Sequence, residues 1–189
     1  CLGNHERRLA GTVHGTSQPA WTQKQTLSLL PEEEWQDWAQ WFADLPLVIE
    51  TPHVIVTHAR LDPGLPLSCQ EEKFTCAVGG PAVKIERKDE DVPLWFSNSQ
   101  FNKPVCVGHV LYAQTELVAG QLFALDTGCV RGGSLSAAIF PGGEIVSVAA
   151  GADYYSKSLR LWRLRAASRK GTPAEITLIE AHKILKSNG

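Results

Sequence analysis

The sequence contains no methionine and no Cys-x-x-Cys pair. Its five cysteines, Cys1, Cys69, Cys76, Cys106 and Cys129, are an odd number. That usage argues against a disulfide framework and a structural zinc site, and points to a reducing, cytoplasmic setting. Cys106 and Cys129 lie within apolar stretches, where a thiol is expected to fill core space rather than act as a nucleophile. No apolar run approaches the roughly 18 residues of a membrane-spanning helix, so no membrane partner is expected. Charge of one sign is also lacking. The 18 Lys and Arg against 20 Asp and Glu give a net charge of −2, with no global pull toward nucleic acid. What is present, 189 residues of which 43% are hydrophobic and 20% charged, suits one soluble globular domain with a sizeable core.

The chain opens Cys1-Leu2-Gly3-Asn4-His5-Glu6. A strand feeding a Gly-Asn-His-Glu turn needs roughly 5 residues, and two precede the glycine. Together with the missing methionine, this leads us to expect the C-terminal part of a longer protein. No signal peptide is visible, which says nothing if residues precede Cys1.

Arg7 to Gln25 is polar and broken by Gly11, Gly15 and Pro19, which predicts a surface connection with a short helical start after His5. Glu32-Glu33-Glu34 then mark a helix start. The stripe Trp35, Trp38, Phe42 and Leu45 predicts an amphipathic helix packed on a sheet.

Three apolar runs each end in a polar residue: Val54-Ile55-Val56-Thr57-His58, Val105-Cys106-Val107-Gly108-His109, and Leu122-Phe123-Ala124-Leu125-Asp126. Each reads as a buried strand delivering a side chain to a loop at its C-terminal end, where sheet enzymes gather their sites. The weakly patterned Gly64–Pro93 stretch, with its charge run Glu86 to Asp91, reads as a solvated loop that also suits a substrate rim. Ser134 to Phe140 and Ile145 to Ala149 predict a hairpin. Past Tyr155 a basic stretch is followed by Thr172-Pro173-Ala174-Glu175, a capping box that predicts a C-terminal helix. We therefore divide the chain into a body, 1–155, and a basic tail, 156–189. Nucleic acid is not the expected partner of that tail, since an isolated basic run is usually just solvated.

Asn4, His5, His58, His109 and Asp126 collect at strand ends and turns. An amide oxygen and neutral imidazoles suit manganese, iron or zinc. The order Gly-Asn-His-Glu, strand-Thr-His-Ala, strand-Gly-His, then Leu125-Asp126-Thr127-Gly128-Cys129 through Gly132-Gly133-Ser134-Leu135 resembles the calcineurin-like metallophosphoesterase superfamily. Within it the closest likeness is to the branch of serine/threonine protein phosphatases and diadenosine tetraphosphatases, over about Leu2 to Ala150.

The resemblance implies an α/β fold, a β-sandwich of two mixed sheets flanked by helices, of which 1–155 would be the C-terminal portion. It implies two divalent metals (Mn, Fe or Zn) and a hydroxide bridging them that attacks phosphorus. Asn4, His58 and His109 would be ligands of one metal. His5 would be the general acid, a role suited to imidazole. Arg131 and Arg60 are candidates for binding the substrate phosphate, as guanidinium pairs bidentately with phosphate oxygens.

The Gly-Asp-x-His-Gly and Gly-Asp-x-x-Asp-Arg-Gly motifs that supply the family's other ligands are missing from these 189 residues. The chain alone is therefore expected to be inactive. Arg60 stands where glycine is common and Val110 where threonine is usual. The expected substrate is a phosphoserine or phosphothreonine protein. The alternatives are a dinucleoside polyphosphate such as diadenosine tetraphosphate, or a non-catalytic binding domain on the same fold.

Overall fold

The computed structural model describes residues 1–78, 93–97 and 101–169. The charge run at 86–91 and the capping box at 172–175 lie outside them. Among the described residues the chain is α/β, with a five-stranded mixed sheet, a second two-stranded sheet and flanking helices. Three helices come first: α1 (Asn4–Val13), α2 (Trp21–Leu27) and α3 (Trp35–Ala43), the last entered through a 3-10 turn at Glu32–Glu34.

The strands of the larger sheet are β1 (Val48–Glu50), β2 (Ile55–Thr57), β3 (Val105–Val107), β4 (Glu116–Val118) and β5 (Leu122–Ala124), in the order β1-β2-β3-β5-β4. The inner strands β2, β3 and β5 run parallel, while β1 and β4 are antiparallel edges. Short helical turns α4 (Glu72–Thr75) and α5 (Leu94–Ser97) fall in the long connection. The chain continues through the hairpin β6 (Ser134–Ile139) and β7 (Glu144–Ala149) into α6 (Tyr154–Arg169).

Side-chain alternation along the central strands sorts the core onto two faces. Val105, Val107, Leu122 and Ala124 point to one, with Ile55 and Leu61, and are covered by Trp95, Phe96 and Phe101. Cys106 and Phe123 point to the other, where Ala138, Phe140 and Ile145 bring the hairpin over them. Phe123 is 1% exposed and meets Phe140 edge-on at 5.2 Å between ring centres. The two sheets are thus held together by apolar burial, worth about 1.5–3 kcal/mol for a fully buried phenylalanine. Burial pushes the Cys106 thiol up to about 11, in keeping with a core residue. Cys129 differs: it is only half-buried, in a loop.

Two expectations are corrected. Residues after His5 form a full helix rather than a short helical start. It forms despite Gly11 because Leu9 and Ala10 are buried beneath it. Helix α3 packs chiefly on α1, not on a sheet, through the fully buried Ala39. Its bulkier Trp38, Trp41 and Phe42 contact one another, with Trp41 55% exposed. A small side chain permits close helix contact, which the aromatic stripe could not show.

Helix α6 begins at Asp153, whose carboxylate accepts from the Ser156 N–H at 2.8 Å and the Ser156 hydroxyl at 2.7 Å. This is an N-terminal cap, and these bonds hold the Asp153 carboxyl below its ordinary value. The basic stretch up to Arg169 is therefore helical. Among the described residues no helix is long and apolar enough to cross a membrane.

Candidate metal centre

Because β2, β3 and β5 are parallel, their C-terminal ends open on one edge of the sheet. His58 follows β2 directly and His109 follows β3 after one glycine. The two ends are tied together by the Gly108 N–H, which donates to the His58 carbonyl at 2.8 Å. His109 then adopts left-handed backbone, φ 64°, while the Val110 N–H donates back to the Gly108 carbonyl at 2.7 Å. This tight three-residue turn costs some strain, a feature that concentrates where side-chain direction matters.

Asn4 arrives from the start of α1. Leu2 is pinned just before it: its N–H donates to the Pro46 carbonyl at 2.8 Å, and its carbonyl accepts from Cys76 Sγ at 3.4 Å. Gly3 is packed so closely that a Cβ there would lie 3.0 Å from the His58 ring and 2.5 Å from a Glu6 carboxylate oxygen. The glycine of the Gly-Asn-His-Glu motif is thus what lets the helix start against the histidine.

The result is a convergence of three donors. His58 Nε2 stands 3.0 Å from Asn4 Oδ1 and 3.1 Å from His109 Nδ1. One proton on Nε2 serves one of these contacts only, and with the amide oxygen in this orientation no tautomer gives both a linear hydrogen bond. A cation satisfies all three lone pairs at once. Ligands bound at about 2.1 Å and at right angles to each other lie about 3.0 Å apart, the spacing seen here. On those two spacings, Asn4 and His109 each fit a position next to His58 on a divalent metal. Among the described residues no three His, Cys, Asp or Glu side chains cluster, so the set consists of two imidazoles and one amide.

Burial, then the neighbouring His109, lowers the His58 pKa to about 4. Burial lowers His109 as well, opposed by Asp126. Both rings thus stay neutral and offer lone pairs near neutral pH. The folded state holds fewer protons than the unfolded chain between about pH 6.5 and 4, so acidification across that window favours unfolding. Each pH unit costs about 1.4 kcal/mol, on the order of 2 kcal/mol in total once the partial exposure of the ring is discounted. Urea titrations of the metal-free protein at pH 7 and pH 4.5 should show this loss, and His58→Gln should largely remove it.

Asp126 follows β5 by one residue and acts electrostatically on both imidazoles. Its Oδ1 accepts from the Gly128 N–H at 2.9 Å. His5, one residue past Asn4, is exposed, with its Nδ1 3.3 Å from Gln23 Nε2. Gln23 is 3% exposed, and its Oε1 accepts from Thr22 at 3.1 Å. With the amide in this orientation Nδ1 accepts and the ring is neutral. Rotating the amide end for end lets Oε1 accept from a protonated Nδ1 while Nε2 donates to Thr22 Oγ1. Gln23 can therefore also hold the imidazolium, with the ring's other nitrogen left for a reacting group. Sequence reasoning missed Gln23, because nothing in a polar helix marks one glutamine as the partner of a histidine 18 residues away.

The two arginines are placed on aromatic rings. Arg131 lies over Tyr155 at 3.9 Å and Arg60 over Phe74 at 5.1 Å. The connection after Ala59 is ordered by Gln70, which accepts from the Asp62 N–H at 2.7 Å and donates to the Asp62 and Leu65 carbonyls.

A crystal structure of a candidate diadenosine tetraphosphatase is similar to this chain, with a TM-score of 0.56 and 29% identity over 78% of the residues. The fold is a phosphoesterase fold. The chain spans 66% of that protein's length. No protein-family model matches the chain, and no curated protein does.

Proposed function

We infer that this chain carries part of the active site of a metal-dependent phosphoesterase. The observation that supports this best is the convergence of Asn4 Oδ1, His58 Nε2 and His109 Nδ1 at the open edge of a phosphoesterase fold. These three would hold one divalent ion, with manganese, iron and zinc all compatible. Bound there, the metal supplies charge neutralisation and activation of water. The chain's own residues do the rest. His5 protonates the departing oxygen, and Gln23 fixes the ring that does so. Arg131 and Arg60 are assigned to the substrate phosphate, since a guanidinium stacked on a ring presents its donors in its own plane.

The substrate class favoured by the structural likeness is a dinucleoside polyphosphate. A phosphoserine or phosphothreonine protein, favoured by the motif order, is the second reading. Neither aspartate motif is in the sequence, so turnover is proposed for a protein that supplies them, and binding of a single metal for this chain alone.

Calorimetric titration with manganese tests the centre. His58 is the middle donor, and its replacement in His58→Ala is expected to weaken binding at least about 100-fold, as even an outer partner of a ligand is worth 10–100-fold. Unchanged manganese affinity would remove the proposed centre. Manganese-dependent hydrolysis of diadenosine tetraphosphate, set against a phosphopeptide, separates the two substrate classes.

A further inference from the structure

Helix α1 does more than present Asn4. Arg7 and Arg8 follow it at three and four residues, on the same helix face and about 5 Å further along. That face opens on a cleft of about 330 Å³, lined by Asn4, Arg7, Arg8, Ser17 and Gln18 together with Ala77. The cleft is built by specific contacts. The Gly11 carbonyl accepts from the Thr16 and Ser17 N–H groups at 2.7 and 2.9 Å, folding the chain after α1 back against the helix. A Cβ on Gly11 would stand 2.6 Å from Ser17 Oγ and 3.1 Å from Ser17 Cβ, so glycine is what allows Ser17 and Gln18 to lie beside the arginines.

On the other side, Arg7 Nε donates to Glu72 of α4, which fixes the direction of the guanidinium. Ala77 takes left-handed backbone, φ 52°, a strain that proteins concentrate at ligand-contacting positions. Two guanidiniums, a hydroxyl and two carboxamides line the cleft, and among the described residues no carboxylate does. This chemistry recognises a chain of phosphates, since guanidinium matches phosphate oxygens in both charge and geometry.

We propose that this cleft is the subsite for those phosphates of a polyphosphate chain that lie beyond the one held at Asn4, His58 and His109. The proposal rests on the phosphoesterase reading above and deepens it. A phosphomonoester has nothing to place there, whereas a polyphosphate fills both sites, so the cleft sets specificity through the phosphates remote from the bond that is cut.

The test is a titration of the metal-free protein, kept in EDTA, with inorganic tripolyphosphate and with orthophosphate. Tripolyphosphate should bind at least about tenfold more tightly, and Arg8→Gln should weaken it about tenfold, the value of a charged hydrogen bond. Glu72→Gln, which removes the countercharge on Arg7, should instead tighten binding about two- to fivefold. Equal affinity for the two anions, or wild-type tripolyphosphate binding by Arg8→Gln, overturns the subsite. Diadenosine tetraphosphate titrated in parallel identifies the source of the chain. Tighter binding than tripolyphosphate points to a nucleotide and equal binding to a free polyphosphate, and the Arg8 loss supports the subsite in both cases. No metal or turnover enters this experiment. Failure of the phosphoesterase reading would appear separately, as unchanged manganese affinity in His58→Ala or as absent manganese-dependent hydrolysis by a protein that also carries the two aspartate motifs.

Discussion

In a protein that also carries the two aspartate motifs, replacing His5 by asparagine is expected to slow phosphoester hydrolysis about 100- to 10,000-fold, the range over which a positioned general acid acts. The argument starts from place. His5 is the residue after Asn4 in the first turn of α1, so it is carried by the same rigid element that supplies a proposed metal ligand. It is exposed at the open edge of the sheet, while its Nδ1 is engaged by the buried Gln23. Asparagine keeps polarity and approximate size but cannot deliver a proton.

A structural defect would slow all substrates alike. Loss of a proton donor acts selectively, because a good leaving group departs without protonation and a poor one does not. Phenyl phosphate should therefore suffer more than p-nitrophenyl phosphate, with manganese affinity largely retained. Equal losses on the two esters, or undiminished turnover, would take the acid role from His5.

Gly133→Ala is expected to destabilise the protein by about 3 kcal/mol or more, at the upper end of what single substitutions do. A Cβ at Gly133 would lie 2.0 Å from the Thr127 carbonyl oxygen and 3.0 Å from the carbonyl carbons of Thr127 and Gly128. These are backbone atoms, so no rotamer change relieves the overlap. The surrounding loop is closed by its own bonds. The Arg131 and Gly133 N–H groups both donate to the Gly128 carbonyl, at 2.8 and 3.0 Å, and Thr127 Oγ1 donates to the Ser134 carbonyl at 3.0 Å. Shifting Gly133 breaks that closure and moves Asp126, which is bonded to the Gly128 N–H. Gly142 provides the control: a Cβ there meets nothing within 4 Å, and Gly142→Ala should stay within about 0.5 kcal/mol of the parent. Chemical denaturation of the two variants decides it, and near-equal stabilities would refute the steric argument.

The central sheet and its histidines were legible in the sequence for one reason. A β-branched run ending in a polar residue carries both its secondary structure and its loop position locally. Asn4, His58 and His109 could be placed at strand and turn ends, and the structure brings all three together. What escaped notice depended on distant packing. Edge strand β4, only Glu116–Val118, is too short for periodicity to register. Helix α1 was masked by its polar composition and Gly11, since its burial comes down to Leu9 and Ala10. The partner of α3 could not be read because one alanine makes the close contact while three aromatics dominate the pattern. The ring contacts of Arg60 and Arg131 arise from phenylalanine and tyrosine residues that local sequence does not pair with them.

The three donors come from residues separated by 54 and 51 positions, and each waits on a different element being in place. A cation therefore finds no partial site to organise while the chain is still collapsing, because long-range closure must come first. On the proposed reading, its grip would belong to the late side of the folding barrier. Added metal should leave the refolding rate almost untouched and act by slowing escape from the native state, turning an equilibrium ligand into a kinetic lock.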